Sequence, residues 1–560
     1  MTKRFLFALL LPFVAHLCSA QSRNPLRIPD TLTGNRFDLT VAPGARQFFP
    51  GEITRTSGVN GDFWGPTLIF NRGENVQLNV INRLGTTTTM HWHGFHIPAM
   101  MDGGPHQTID DGTTWSPSFT VNNNAATYWY HPHLHMETEQ QLTEGLGGLI
   151  IVRDAIEAAL PLPRRYGIDD IPLVLTDRRF SSTNQLQRVR YGDTMLVNGT
   201  LDPVISLPAQ VVRFRILDAA TERSYNIGFA DGRTFHVITS DGGLLDRPVP
   251  VTRYLLSVGE RIEVLVDLST DNGKSLTLRA FNSTLAQNIP GGEPVDFPGL
   301  GNRLGKRDFD ILHIDVADPI AGGITVIPTT LVANTPLDPL TATNTRTIRM
   351  TDAPGNPPGF LLDGTPYDMN VINHRVPINT TEIWEIDNQS GFSHPFHIHL
   401  VEFNIISRNN GAVPEYERGW KDVVFVKAHE KARFVARFVD FADATHPYMY
   451  HCHIAAHEDE GMMGQFVVDP APTRVHPEIT DEHSLLVYPN PTGGSSTLLL
   501  PTGRTAASYQ VFDPLGRIVS AGSALPAGAP LTLPRFEPGI YMIRVTDDHG
   551  MSLSTRFVVR

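Results

Sequence analysis

The chain has 560 residues, of which 41% are hydrophobic and 18% charged, with 47 Gly and 43 Pro. This length allows about four domains of about 150 residues each, and the many turn-forming residues favour an all-β globular protein over a disordered or helical-bundle chain. The formal charge of −13 argues against nucleic acid as a partner.

The first 20 residues are typical of a secretory signal peptide. Lys3 and Arg4 precede an apolar run from Phe5 to Leu17, and small residues end the segment at Ala20. The run is too short to span a bilayer comfortably. No later segment is apolar for long enough, so we expect an exported protein without stable membrane insertion.

Three consecutive β units are expected after the signal peptide. Apolar and polar residues alternate over 75–81, and the same texture recurs over about 171–316, for example at 211–217, and over about 347–468. Alternation with period two indicates half-buried strands, and three similar units predict three related sandwiches. The predicted domains are residues 21–155, 156–318 and 319–470, the last including a Pro- and Thr-rich linker.

Residues 485–560 are predicted to form a separate small β domain. The segments 487–491, 539–545 and 556–560 (VYPNP, GIYMIRV and RFVVR), together with their terminal position, resemble the C-terminal sorting domain of type IX secretion cargo. This resemblance implies that secretion machinery is a partner and that the protein, after passing through the periplasm, is secreted or held at the outer cell surface. A fourth structural sandwich is the alternative.

Four His-x-His pairs dominate the chemistry. Both members of a pair point to one face of a strand. One pair alone would mean little, but four pairs supply eight imidazoles, which copper prefers among the available ligands. The pairs are His91/His93, His131/His133, His397/His399 and His451/His453.

Cys452 is the only cysteine left after signal-peptide cleavage. A lone thiol in an oxidising compartment needs protection, and metal ligation provides it. Alternation turns Cys452 away from its histidine neighbours, so it can bind one metal while they bind others. With His394, His457 and Met462 as partners it matches a blue copper site, whereas zinc prefers a closed set of stronger donors.

These segments resemble the four copper-binding motifs of multicopper oxidases in family order. The resemblance extends over about residues 37–469 and implies three consecutive cupredoxin-like Greek-key β-sandwiches, followed by a small C-terminal β-sandwich sorting domain. The segments are His91-Trp92-His93-Gly94, His131-Pro132-His133-Leu134-His135, His394-Pro395-Phe396-His397-Ile398-His399, and His451-Cys452-His453 with His457-Glu458-Asp459-Glu460-Gly461-Met462-Met463.

The same resemblance implies four coppers per chain: one type 1, one type 2 and a type 3 pair. The type 1 ligands would be His394, Cys452, His457 and Met462. The type 2 ligands would be His91 and His397. The type 3 ligands would be His93, His131, His133, His399, His451 and His453.

Reduction of dioxygen to water consumes protons, which buried carboxylates can deliver. Asp102 matches an acidic residue that the family places near the type 2 copper, and Glu458 matches one near the type 3 pair. A structural or surface role is the alternative for each. The motif Trp420-Lys421-Asp422 resembles a family strand near the copper face, without assigned chemistry. Three further histidines are expected beside the ligands or at the surface: His96, His106 and His135.

The resemblance implies a laccase-like, copper-dependent oxidase that uses dioxygen and a small reducing substrate. Phenols and aromatic amines are favoured, and Cu(I), Fe(II) or Mn(II) are the alternative substrates. A copper nitrite reductase would leave several histidine pairs without a role. A non-enzymatic cupredoxin scaffold that carries or stores copper would have no need of a complete oxygen-reducing cluster.

Overall fold

A computed structural model describes residues 23–354, 359–471, 485–500, 505–525, 530–547 and 549–560. The predicted signal peptide (residues 1–20), residues 21–22 and the linker residues 472–484 lie outside these ranges. The chain divides into two compact units, Met1–Ala471 and Pro472–Arg560. Among the described residues, no helix has the length and apolar character needed to cross a membrane.

The first unit contains three cupredoxin-like sandwiches, as predicted. In the first sandwich, one sheet has the strand order Thr31–Thr33, Thr67–Asn71, Gly148–Arg153, Ala126–His131 and His91–His93. The facing sheet has the order Thr54–Val59, Arg36–Arg46, Asn75–Asn82 and Thr114–Trp115, and Ser118–Thr120 also pairs with Asn75–Asn82.

The second sandwich has the largest sheets of the unit. One sheet has the order Asn24–Pro25, Pro203–Pro208, Asp308–Ala317, Ser275–Phe281, Tyr225–Phe229 and Tyr254–Leu256. The other has the order Thr200–Leu201, Thr194–Val197, Asp170–Phe180, Val211–Asp218, Arg261–Asp267, Phe235–Ser240 and Gly243–Val251, with Leu186–Gln187 paired to Asp170–Phe180. The short N-terminal strand Asn24–Pro25 thus joins the second sandwich rather than the first.

The third sandwich repeats the two-sheet arrangement. One sheet has the order Phe360–Leu362, Asn344–Asp352, Thr380–Asn388, Lys431–Phe438 and Phe403–Arg408. The other has the order His374–Pro377, Met463–Asp469, Asp443–Cys452, His394–Ile398 and Val423–Val426.

The second unit is the predicted small β-sandwich. Its sheets have the orders Leu486–Tyr488, Thr497–Leu499 and Leu531–Thr532, and Ile518–Leu525, Ala506–Phe512, Gly539–Thr546 and Ser552–Val559. Within strand Gly539–Thr546, the side chains of Tyr541, Ile543 and Val545 are buried.

Helices are short in the described part of the chain. The α-helices are Thr138–Glu144, Ala155–Ala159 and Ala455–Asp459. The 3₁₀ helices are Ala99–Met101, Asn282–Thr284, Pro339–Thr341 and Glu415–Glu417.

Strand Val211–Asp218 departs from the predicted half-burial, because all its residues are buried. Arg213 and Arg215 point out of the second sandwich's core, but the first sandwich covers them. Arg215 donates to Asp170 at 2.7 Å and to Thr127 of the first sandwich at 3.1 Å. Domain docking therefore buries a face that periodicity alone assigns to solvent.

Candidate metal centres

Paired strands bring the four histidine pairs together. In the first sandwich His91 lies opposite His131 on the neighbouring strand, and in the third sandwich His397 lies opposite His451. The eight imidazoles are all buried. Each sandwich therefore presents a compact group of rings at the end of one sheet.

Rings from the first and third sandwiches stack on one another. The ring centroids of His91 and His399 are 3.9 Å apart, and those of His93 and His397 are also 3.9 Å apart. The two sandwiches thus build one shared structure, the histidine cluster. Sets whose ligand atoms lie within 4.8 Å of one another are His91, His93 and His131; His91, His397 and His399; and His133, His399 and His451.

Five rings of the cluster have a buried nitrogen without a hydrogen-bond partner among the described residues: His91, His133, His397, His399 and His453. In three of them, His91, His397 and His399, this nitrogen is Nε2. Nδ1 of His91 donates to the backbone carbonyl of Asp102 at 2.8 Å, and Nδ1 of His397 donates to that of Asp422 at 2.8 Å. Nδ1 of His399 donates to Oδ2 of Asp102 at 2.7 Å. Nε2 of each of these three rings carries a lone pair with no donor among the described residues, which fits a bound metal ion.

Burial lowers the pKa of seven imidazoles of the cluster: His91, His93, His131, His133, His397, His399 and His453. Together with neighbouring imidazoles, it lowers the pKa of His131 to about 3 and the pKa of His91 and His93 well below the ordinary value. Neutral rings keep the lone pairs that bind metal. Burial instead raises the pKa of the Cys452 thiol well above its usual range, so the thiol stays protonated until a metal replaces the proton.

Asp102 lies where the sequence analysis expects it, against the histidine cluster. Its Oδ2 accepts the hydrogen bond from His399. Its Oδ1 lies 3.6 Å from Nδ1 of His91 and has no hydrogen-bond partner among the described residues. Burial raises the pKa of Asp102 above its usual value. A buried carboxyl oxygen is thus left free beside two predicted ligands.

Glu458 bridges two other rings of the cluster. Its carboxylate oxygens lie 3.2 Å from Nδ1 of His133 and 3.2 Å from Nδ1 of His451, and the Thr138 hydroxyl donates to it at 2.8 Å. Burial alone would raise its pKa, but the electrostatic interaction with the imidazoles of His133 and His451, together with a hydrogen bond to His451, lowers the pKa well below its usual value. Glu458 therefore orients both rings as a carboxylate.

Asp422 is a site residue to which the sequence analysis assigned no chemistry. Oδ1 accepts a hydrogen bond from Nε2 of His93 at 3.0 Å, and the Arg261 guanidinium donates to both carboxylate oxygens at 2.6 Å. Burial raises the pKa of Asp422 to about 6, although Arg261 opposes this. The resemblance of Trp420-Lys421-Asp422 to a family strand was the only signal for it. No sequence signal pointed to Arg261, which belongs to the second sandwich.

Four residues of the third sandwich form what we call the mononuclear site: His394, Cys452, His457 and Met462. Sγ of Cys452 lies 3.6 Å from Nδ1 of His394 and 3.6 Å from Nδ1 of His457. The backbone N–H of Cys452 donates to the carbonyl of Met462 at 3.0 Å, and that of Met462 donates to His457 at 2.8 Å. All four side chains are buried. A thiolate and two imidazoles fit copper, and the backbone hydrogen bond to Cys452 places Met462 next to them in the fold.

A cavity of about 770 Å³ lies beside the mononuclear site. The ring of Phe360 forms part of its wall and lies 4.6 Å from the rings of both His394 and His457. The cavity is thus separated from two predicted copper ligands by little more than one aromatic ring. Its other apolar lining residues are Val189, Phe297, Pro298, Leu300 and Phe392.

Glu222 is an unusual polar residue in this cavity wall. It is buried, and neither carboxyl oxygen has a hydrogen-bond partner among the described residues. The neighbouring Tyr191 hydroxyl has one proton and donates it to Glu293 at 2.7 Å. Burial raises the pKa of Glu222 to about 8, although Arg190 opposes this.

Three histidines near the motifs stand outside the ligand sets found among the described residues. Nδ1 of His96 donates to a backbone carbonyl at 2.8 Å, and Nε2 of His106 lies 2.8 Å from Oε1 of Gln465. His135 packs edge-on against the ring of Tyr367. These contacts are those of residues beside the ligands rather than ligands.

Comparison with known families matches almost every part of this architecture. The family description "Multicopper oxidase" matches residues 41–156, 172–289 and 334–472. The description "Secretion system C-terminal sorting domain" matches residues 486–560.

Individual relatives cover most of the chain. Multicopper oxidase mco of Staphylococcus epidermidis is 30% identical over 473 residues, which are 81% of this chain and 94% of that protein. Cell division protein FtsP of Escherichia coli is 32% identical over 465 residues, with the same shares. The solved structure of the laccase-like multi-copper oxidase CueO from Ochrobactrum sp. is 33% identical, covers 79% of this chain and 100% of that chain, and has a TM-score of 0.71. That protein is described as active towards lignin model compounds and lignosulfonate.

Proposed function

The chain belongs to the multicopper oxidase family, and on this premise we propose that it is an active, exported oxidase. It takes single electrons from an organic reductant and reduces dioxygen to water. The observation that carries the proposal is the convergence of the eight paired histidines into one cluster, and of His394, Cys452 and His457 into one mononuclear site. Buried ring nitrogens of the cluster have no hydrogen-bond partner among the described residues.

Four coppers per chain are part of this proposal: one at the mononuclear site and three at the histidine cluster. When bound, copper supplies one-electron redox chemistry and a place for dioxygen. The chain itself supplies the connection between the two sites, because Cys452 lies between His451 and His453. Its Sγ faces His394 and His457, while Nε2 of His451 lies 3.2 Å from Nε2 of His133 in the cluster.

Asp102 and Glu458 have the proposed task of managing protons at the cluster. Asp102 offers Oδ1, which is buried and has no other partner, as a position that can hold and release a proton beside His91. Glu458 keeps Nδ1 of His133 and His451 on its own side, so that Nε2 of each ring faces the cluster. Well-placed acid–base groups typically contribute about 10²- to 10⁴-fold to a rate.

Phenols and aromatic amines are the proposed reductants. The cavity beside His457 is lined mainly by apolar and aromatic groups, which suit an aromatic ring. Glu222 offers unpartnered oxygens to a hydroxyl or amino group of that ring. Cu(I), Fe(II) or Mn(II) remain the alternative substrates, favoured by the acidic charge of the chain.

A non-enzymatic role is the second candidate function, because relatives include cell division protein FtsP at 32% identity. On that alternative the sandwiches would serve as a scaffold or copper carrier. The complete sets of converging ligands favour the oxidase.

Export is proposed from both ends of the chain. The C-terminal unit matches a secretion sorting domain, and the predicted signal peptide begins the sequence. We propose passage through the periplasm and a final location outside the cell or on its surface, with secretion machinery as the partner of the C-terminal unit.

Copper content, absorption spectrum and oxygen uptake of the copper-loaded protein test the proposal. We expect four coppers, an intense blue band, a coupled type 3 pair and faster oxygen uptake with a phenol than with ferrous or cuprous ion. Only one type 1 and one type 2 copper would instead indicate a nitrite reductase. Two coppers or fewer without oxygen uptake would favour the scaffold.

A further inference from the structure

Arg190 places a guanidinium against the mononuclear site. Its Nη1 lies 3.3 Å from Nε2 of His457, and its Nη2 donates to both carboxylate oxygens of Glu460 at 2.8 Å. Nε lies 3.9 Å from Oε2 of Glu222. The Arg190 guanidinium thus lies between the predicted copper ligand His457 and the carboxyl groups of Glu460 and Glu222.

The fold fixes this position from the second sandwich. Arg190 lies in the connection between strands Leu186–Gln187 and Thr194–Val197, and its carbonyl accepts a hydrogen bond from the Thr221 hydroxyl at 3.2 Å. Only 20% of its side chain is exposed. Salt and water therefore screen its charge less than they screen a charge at the surface.

Metal binding changes the contact between Arg190 and His457. Nδ1 of His457 faces the Cys452 sulfur, so a metal bound there leaves the ring proton on Nε2. A guanidinium has only N–H donors and no acceptor, so two donors then face each other and the contact is no longer a hydrogen bond. The positive charge remains, because the two hydrogen bonds to Glu460 keep the guanidinium in place.

The charge of Arg190 reaches all three strong ligands of the site. Burial, and to a smaller extent the charge of Arg190, lower the pKa of His394 to about 3. Burial and then the neighbouring His394 lower the pKa of His457, and Arg190 adds to this effect. Burial raises the pKa of Cys452, and Arg190 opposes the rise.

We propose that Arg190 raises the reduction potential of the metal at the mononuclear site, and that the carboxylate of Glu460, which accepts two hydrogen bonds from Arg190, limits this effect. A nearby positive charge favours the reduced ion, which carries one positive charge fewer than the oxidised ion. Arg190 is thus a tuning residue contributed by a sandwich that supplies no ligand. This inference rests on the proposed copper loading.

The inference is tested by the reduction potential of the copper at the mononuclear site. This potential is measured by redox titration of the full-length copper-loaded protein, with the blue absorption band as the signal. Arg190→Gln should lower the potential and Glu460→Gln should raise it. The double variant should lie between the two single variants, and Arg190→Lys should keep most of the wild-type value. The opposite signs separate a charge effect from general disturbance of the site.

Arg188→Gln is the matched control. It removes the same charge two residues away, where Arg188 pairs with Glu139 at 2.6 Å and Asp459 at 3.0 Å, and it should move the potential less than Arg190→Gln. Equal shifts in the Arg188 and Arg190 variants, or shifts of the same sign in Arg190→Gln and Glu460→Gln, would overturn the inference. If Arg190→Gln does not fold, Arg190→Lys and Glu460→Gln carry the test. Wild-type protein without a blue band would refute the copper loading instead.

Discussion

The first and third sandwiches supply every predicted copper ligand, whereas the second supplies none. The second sandwich nevertheless borders both sites, through Arg261 at the histidine cluster and through Arg190 and Glu222 beside the mononuclear site. Two domains therefore carry the metal-binding groups, and the domain between them in sequence carries charges that position and tune those groups. Variants of the predicted ligands and variants of the residues around them should therefore lose different properties.

Cys452→Ser should give the largest effect, because it removes the thiolate on which the mononuclear site depends. We expect the blue band and the oxidase activity to be lost, while copper at the histidine cluster is retained. Absorption, copper content and oxygen uptake measure these three quantities. A blue protein that still consumes oxygen after this change would refute the ligand assignment.

Asp422→Asn should give a smaller loss at the other site. The amide holds Nε2 of His93 less firmly and removes the closer of two buried carboxylate partners of Arg261, which leaves Asp241 at 3.7 Å. Changes of this kind beside a metal ligand typically cost about 10- to 100-fold in activity or metal affinity.

Oxygen uptake and cluster copper should therefore fall in Asp422→Asn while the blue band stays. Asp440→Asn, which alters an exposed carboxylate that meets His96 at 3.1 Å, is the control and should have little effect. Loss of the blue band, with oxygen uptake and cluster copper unchanged, would show that Asp422 does not support the histidine cluster through His93.

Glu222→Leu should affect one class of substrate. The KM for a phenol should rise about two- to tenfold, because a hydrogen bond to a neutral carboxyl group is worth about 0.5–1.5 kcal/mol. Glu222→Gln should restore part of the loss. The matched control is an aryl ether of the same shape as the phenol but without the hydroxyl proton. It should bind equally well to the copper-free wild type and to copper-free Glu222→Leu. If the KM for the phenol is unchanged in Glu222→Leu, Glu222 does not bind the substrate.

Removal of residues 472–560 should have the smallest effect on catalysis. This unit has its own buried core, including Val511, Ile543 and Phe557, and contributes no predicted ligand. Oxygen uptake per copper should be unchanged, whereas the amount of protein that reaches the outside of the cell should fall. A large loss of activity in the purified truncated enzyme would show that the unit does more than direct export.

The sequence predicted the fold class, and it singled out histidines and a cysteine that the structure brings together, because both inferences depend on local patterns. Alternation places His91 and His93 on one face without any knowledge of distant residues, and the spacing around Cys452 indicates a thiolate site in the same way. Asp422 was different, because its role depends on Arg261, which lies 161 residues away.

Domain docking accounts for the other features that the sequence did not predict. Arg190 meets His457 across 267 residues, and no local pattern marks either partner for the other. Strand Val211–Asp218 looks half-exposed until the first sandwich covers Arg215. Long-range packing therefore decides which charges stand beside the metal-binding groups.

The stacked rings of His91 and His399 also order the events of maturation. These residues are separated by more than half of the chain, so the first of them emerges from synthesis and export long before the second. A nascent or partly translocated chain can offer a copper ion only half of the cluster. Full loading with the proposed coppers must follow docking of the first and third sandwiches. A chain that holds all of these coppers has therefore completed the docking of these two domains.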